Sequence, residues 1–164
     1  MFPSARAFAQ IQPKERDTST STLTVQKLDT RALWMDALAG IIGGIPFGIM
    51  MGMMGMMPMI GMLVRVESAF VGVLVHAAIS AITGAIYGFL AVRFSLTWRN
   101  AVIGGFVYGV VWWELGALIL MPALLGMFQM IFVIGSTHWM SLLGHIIFGE
   151  VLALTFVWLY NRSK

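Results

Sequence analysis

The sequence predicts an all-α polytopic membrane protein with four transmembrane helices and an additional interfacial or re-entrant segment on the outer face. Three observations carry that expectation. Hydrophobic residues make up 59% of the 164-residue chain and charged residues 10%, against about 25% charged in soluble domains. Four apolar stretches, near 33–57, 69–91, 100–121 and 138–160, reach the roughly 20 residues needed to cross about 30 Å of hydrocarbon. Nine of the ten basic residues fall on one side of this arrangement and only Arg65 on the other. An odd number of spans spoils that split. By the positive-inside rule both termini are then cytoplasmic, and the expected location is the inner (plasma) membrane.

Taken in order, residues 1–31 are polar, with mixed charges and the run Asp17-Thr-Ser-Thr-Ser-Thr. They are expected to form a cytosolic tail that buries too little apolar surface to fold alone, and no secretory signal is visible in them. The transmembrane domain is expected over 32–164. Its first apolar stretch runs from Leu33 to Val64, too long for one straight crossing, and Pro46 and Pro58 offer places to kink or stop it. Arg93 and Arg99 separate spans two and three, and Pro122 closes span three just after Met121. Between Pro122 and Ser136 lies an uncharged apolar run too short to cross and return. It reads as an interfacial or re-entrant helix, or as the extension of a tilted third helix before a tight turn. Trp34, Trp98, Trp139 and Trp158 fall near span ends, where amphipathic rings anchor at the interface.

Small residues recur at four-residue spacing: Gly40, Gly44, Gly48 and Gly52 on span one, Ala77, Ala81 and Ala85 beside Gly84 and Gly88 on span two, Gly105 and Gly109 on span three. This spacing lets membrane helices approach closely and predicts a tight bundle. Span two also carries a polar stripe, His76, Ser80, Thr83 and Tyr87, on one face. Span four carries His138, Ser141 and His145, continuing to Gly149.

Ionisable groups inside hydrocarbon cost a few kcal/mol by insertion scales and mark sites or structural polar clusters. His76, Glu114 and His145 are expected at one depth, about seven residues or roughly 10 Å from one face, with Glu114 pairing a histidine in a relay or structural layer that includes Ser80 and Tyr87. On span three Glu114 points almost opposite Gly105, Gly109 and Gly116, and on span four Glu150 lies about 140° from His145 at 100° per residue. Both helices then demand protein contact over more than half their circumference. The expectation is a partner interface, from a second copy or another membrane subunit, that includes Glu150, Gly105 and Gly109.

Cofactor readings stay open. His76 and His145, flanked by Gly72, Gly144 and Gly149, meet the minimum for haem b. The methionines Met50, Met51, Met53, Met54, Met56, Met57, Met59 and Met62 are soft ligands suited to copper(I), yet they point all round their helix and fill space equally well. A quinone would find a proton partner in the Glu114/histidine layer. With no cysteine, iron–sulfur clusters, thiolate metal sites and attached c-type haem are excluded. No phosphate-cradling glycine loop, HExxH or credible Ser-His-Asp set is present, and the basic residues sit where topology wants them, not where nucleic acid does.

From residue 70 to 160 the chain resembles the YagU-like group of small bacterial and archaeal inner-membrane proteins. The resemblance rests on His76-Ala-Ala-Ile-Ser80 with Gly84 and Tyr87-Gly88, on Met121-Pro122, and on Gly144-His145-Ile-Ile-Phe148-Gly149. It implies a four-helix inner-membrane protein whose glycine–histidine stretch belongs to the bundle interior; the methionine-rich first helix and the tail lie outside it. The expected function is a non-enzymatic scaffold or accessory subunit of a larger membrane assembly. The rivals are a small transporter or proton/metal conduit through the His/Glu layer, and a b-haem or quinone redox subunit.

Overall fold

The computed structural model describes residues 30–162; the tail expected over 1–31 lies outside them except for Thr30 and Arg31, which open α1. The helices are α1 (Thr30–Met53), α2 (Met57–Gly61), α3 (Ala69–Ala91), α4 (Trp98–Trp112), α5 (Met121–Leu124) and α6 (Ser136–Arg162). A wide, π-helical stretch over Trp113–Leu120 joins α4 to α5 without a break, and the three together form the third span. Four helices are long and apolar enough to cross a membrane: Leu33–Met53, Ala69–Ala91, Trp98–Leu124 and Ser136–Arg162. The protein is thus an all-α, multi-pass membrane protein.

The turn chemistry explains where the spans stop. Gly55 adopts φ 69°, and Met56 N–H reaches Met51 O at 2.9 Å while Gly55 N–H reaches Gly52 O at 3.1 Å. That is a Schellman ending, which satisfies carbonyls a helix C-terminus otherwise leaves unpaired. It halts span one at Met53, four residues before the expected end at 57. Pro58 then sits in the first turn of α2, where a missing N–H costs nothing. The same pair of bonds recurs around Gly126, with Met127 N–H on Pro122 O at 2.8 Å and Gly126 N–H on Ala123 O at 3.1 Å. Ser68 caps α3 by accepting from Val71 N–H, and Thr97 caps α4 by accepting from Asn100 N–H.

The run 122–136 divides between the two readings: the third helix continues through Pro122 to Leu124, and the remainder lies outside the bundle without a helix that re-enters it. The backbone then passes into a loop with one 3-10 turn, Phe128–Met130, whose Phe128, Phe132 and Ile134 are exposed. Pro122 also accounts for part of the helix distortion before it. Having no N–H, it leaves Leu118 O without its usual partner four residues on, and its ring crowds that carbonyl. Phe132 N–H, returning from the loop, bonds Leu118 O at 3.3 Å. Inside the wide stretch Met121 N–H bonds Gly116 O, five residues back.

The helices pack in the order α3, α1, α6, third span, with α2 laid against α3. Glycines set each contact. At α1/α3, Gly40 meets Ser80 O and Gly84, and Gly84 meets Asp36 O and Gly40, so closely that a Cβ on either glycine would run into backbone. At α1/α6, the Phe47 ring lies on Gly144, and Gly43 faces Phe148 O and Leu152. At α4/α6, Gly105 and Gly149 face each other, and Gly109 lies on His145 O and Ile146. This corrects one expectation: Gly105 and Gly109 are consumed by contact with α6 of the same chain and are not free to form a partner interface. The face opposite a glycine row reads as unpartnered only while the row's own partner is unknown.

Candidate functional site

Because α3 and the third span lie at opposite ends of the packing order, their separation leaves a cavity of about 320 Å³. Phe47 and Met51 of α1 and Phe148 of α6 form its buried floor. Ile60 of α2 and Leu63 close it at the end of the bundle that carries Arg65. At the opposite side Tyr108 of α4 donates its hydroxyl to Thr83 O of α3 and meets the Tyr87 ring edge-on at 5.1 Å. This tyrosine bridge is where α3 and α4 reach each other, and the cavity lies on the Arg65 side of it. Among its wall residues Ile79 and Ile82 of α3 and Leu120 and Leu124 of the third span are exposed. The opening therefore faces sideways, toward the acyl chains.

Two imidazoles line this cavity, His76 and His145. His76 Nε2 lies 2.9 Å from Gly44 O, across a contact that Gly44 and Gly48 make possible by lacking side chains. A carbonyl oxygen only accepts, so Nε2 carries the proton, and in the neutral ring Nδ1 keeps a lone pair. The Nε2 and Cδ2 edge rests on α1, which turns the Nδ1 edge away from α1. His145 is the mirror case. Its Nδ1 donates to Ser141 O at 2.7 Å, one turn back on its own helix, so Nε2 keeps the lone pair. That nitrogen faces Gly116 of the wide stretch, where a Cβ would stand 4.0 Å away. Phe47 touches both rings, with centroids 5.7 Å from His76 and 4.5 Å from His145.

The histidine pair expected from the sequence is thus brought together, and Ser80, 2% exposed, lines the same cavity. Glu114 is not part of it. It is exposed, and the Trp113 indole N–H, donating to His138 O at 3.0 Å, places it beside the first turn of α6. The histidines sit deeper, His145 nine residues into α6. Contact register separates them: Gly109 already lies on His145 O, and Trp113, one turn further along the third span, reaches His138 O, so Glu114 falls beyond His145 toward the Arg65 end. Tyr87 is buried, but in the tyrosine bridge with Tyr108 and Phe156, not in the histidine layer. Glu150 is half-buried and lies over Gly105.

A flat macrocycle between the imidazoles would have to displace Phe47, which comes from the helix lying between theirs. Among the described residues no three His, Cys, Asp or Glu side chains gather as metal ligands. The methionines disperse: Met51 and Met57 are buried, whereas Met53, Met59 and Met62 are exposed.

Two features escaped the sequence reading. Asp36, 8% exposed, seats its carboxyl on Gly88 of α3; the signal was its place in the series Asp36, Gly40, Gly44, Gly48 on one helix face. The wide stretch at Trp113–Leu120 had a weaker signal, Pro122 inside a helix, and such stretches are frequent at functional sites. No protein-family model matches the chain, and no curated protein or solved structure is significantly similar to it. What fold and cavity define is a four-span membrane protein with a side-open, histidine-bearing pocket.

Proposed function

We propose that this chain is a small, non-enzymatic integral membrane subunit that holds an apolar-tailed, lipid-like molecule in the cavity between α3 and the third span. The observation that carries the reading is a mostly apolar chamber that opens sideways and has two imidazoles in its wall. Such a shape suits a ligand that enters from the bilayer, a few convergent polar groups fixing its head. The reading keeps the inner-membrane location, with both termini cytoplasmic by the positive-inside rule, and the YagU-like relationship. It drops Glu114 from any relay.

Purification in mild detergent followed by native mass spectrometry tests it. The expected result is an apolar molecule retained by the wild-type chain and lost in Gly116→Leu, whose side chain would occupy the space before His145. Retention of the same molecule by that variant, or no retained molecule at all, would contradict the reading.

A second reading, an accessory subunit of an oligomer or larger assembly, is favoured by Glu150. This acid is 14 residues from one end of α6 and 12 from the other, near mid-bilayer, half-buried and without an ion pair among the described residues. A neighbouring subunit covering it would offset the cost of a carboxyl facing lipid. Light-scattering mass in mild detergent checks this: a lone chain for the wild type removes the reading, and a larger particle that Glu150→Leu dissociates supports it.

A further inference from the structure

The hydrogen bonds that fix the two histidines also decide what they can recognise. Each ring spends its one N–H on a backbone carbonyl, His76 on Gly44 O at 2.9 Å and His145 on Ser141 O at 2.7 Å. What a neutral imidazole has left is a lone pair, an acceptor and nothing else. Thr83 cannot reverse the balance, because its hydroxyl already donates to Ile79 O at 2.9 Å and Ser80 O at 3.1 Å. Ser80 keeps a hydroxyl that serves either way. The histidine pair therefore asks its ligand for donors.

The walls add a second requirement. Phe47, Trp112, Phe148 and the two imidazoles place five rings around the cavity, and aromatic faces and edges favour a flat ring between them. Gly116 and Ala117 leave the third-span side of the chamber open to such a ring, while exposed Ile79, Ile82, Leu120 and Leu124 border the sideways exit for a tail.

Building on the proposed lipid-binding function, we propose that the ligand is a hydroxy-arene with an apolar tail, a hydroquinone or phenol, and that the site selects it by its hydroxyl donors. The oxidised quinone of the same molecule is disfavoured. Its two carbonyl oxygens only accept: one can take the Ser80 hydroxyl, but neither has a donor to meet at the His145 Nε2 lone pair that faces Gly116. A site whose buried polar groups lose their partners discriminates far more strongly than one that loses only a contact. The selection concerns binding; no electron transfer by the protein is invoked.

The test uses the full chain in lipid nanodiscs under argon, with isothermal titration calorimetry against empty nanodiscs. Three probes share one shape: a decyl-tailed benzohydroquinone, its oxidised quinone, and its dimethyl ether, which keeps the ring and loses both donors. The hydroquinone is expected to bind at least tenfold more tightly than either of the others. His145→Phe, which keeps a ring and removes an acceptor, is expected to bring the three within about threefold. If that variant does not fold, Gly116→Leu serves instead, since its backbone site has only Trp112 and His145 near it, at 3.9 and 4.0 Å; it is expected to abolish hydroquinone binding. Equal binding of all three probes, abolished by Gly116→Leu, overturns donor selection and leaves the cavity reading standing. No binding of any probe overturns both.

Discussion

The two ends of the bundle use the same helices in opposite ways. Toward the end bearing Arg93 and Arg162, backbones touch: Gly40 with Gly84, Gly105 with Gly149, and the Asp36 carboxyl on Gly88. Toward the end bearing Arg65, α3 and the third span part, and a cavity opens between them. The tyrosine pair Tyr87 and Tyr108 marks the boundary. Without a hydrophobic drive between helices in lipid, contact depends on how near backbones come. Glycine rows supply it at one end; at the other, Gly72 still seats α3 on Met57 of α2, but Pro122 and the widened helix before it give a third span that leaves room. A membrane bundle can thus be made rigid at one level and receptive at another within one set of spans.

The largest effect that breaks this contrast should come from filling a closed contact. Gly84→Val puts a branched side chain into Asp36 O and the Gly40 backbone, neither of which can retreat as a flexible side chain would. Loss of about 3 kcal/mol or more is expected, read as a large fall in the thermal midpoint of the detergent-solubilised protein. A midpoint within a few degrees of wild type would mean that α1 and α3 are not in backbone contact.

A smaller change of opposite sign sharpens the comparison. Gly52 continues the series Gly40, Gly44, Gly48 in sequence, but a Cβ there meets nothing within 4 Å. Gly52→Ala should gain up to about 1 kcal/mol from helix propensity alone, visible as a raised midpoint. Destabilisation would show that the glycine row is in contact along its whole length.

The smallest effect is expected at Glu114. Exposed, next to the Trp113 that reaches the first turn of α6, it is not part of the cavity wall. Glu114→Gln should change stability by no more than about 0.5 kcal/mol and leave ligand retention intact. Loss of the retained ligand in this variant would return the acid to the histidine layer.

Much of this was legible because lipid simplifies the code. Length, hydropathy and Arg placement gave four spans, with Ala69–Ala91 at its expected bounds. Helical spacing put His76, Ser80, Thr83 and Tyr87 on one face, and that is the face α3 turns into the bundle, with Ser80, Thr83 and Tyr87 buried. Depth was less legible, because counting from helix ends ignores how far one helix is displaced along another: Gly109 meets His145 O, which leaves Glu114 beyond the histidine. The roles of Gly105 and Gly109 needed the packing order of the helices, which pairwise spacing does not encode. Asp36 was overlooked although it begins the glycine series of α1; near a span end an acid looks solvated until the glycine it sits on is known.

The sideways opening is the claim on which the functional account stands, and quenching of Trp112 by lipids brominated along the acyl chain measures it most directly. Trp112 lines the cavity, so the part of the quenching that disappears in Trp112→Phe reports bromine reaching that chamber. The account predicts a clear Trp112 contribution that Gly116→Leu strongly reduces. A Trp112 contribution of zero, or one that Gly116→Leu leaves unchanged, would contradict a cavity open to the bilayer.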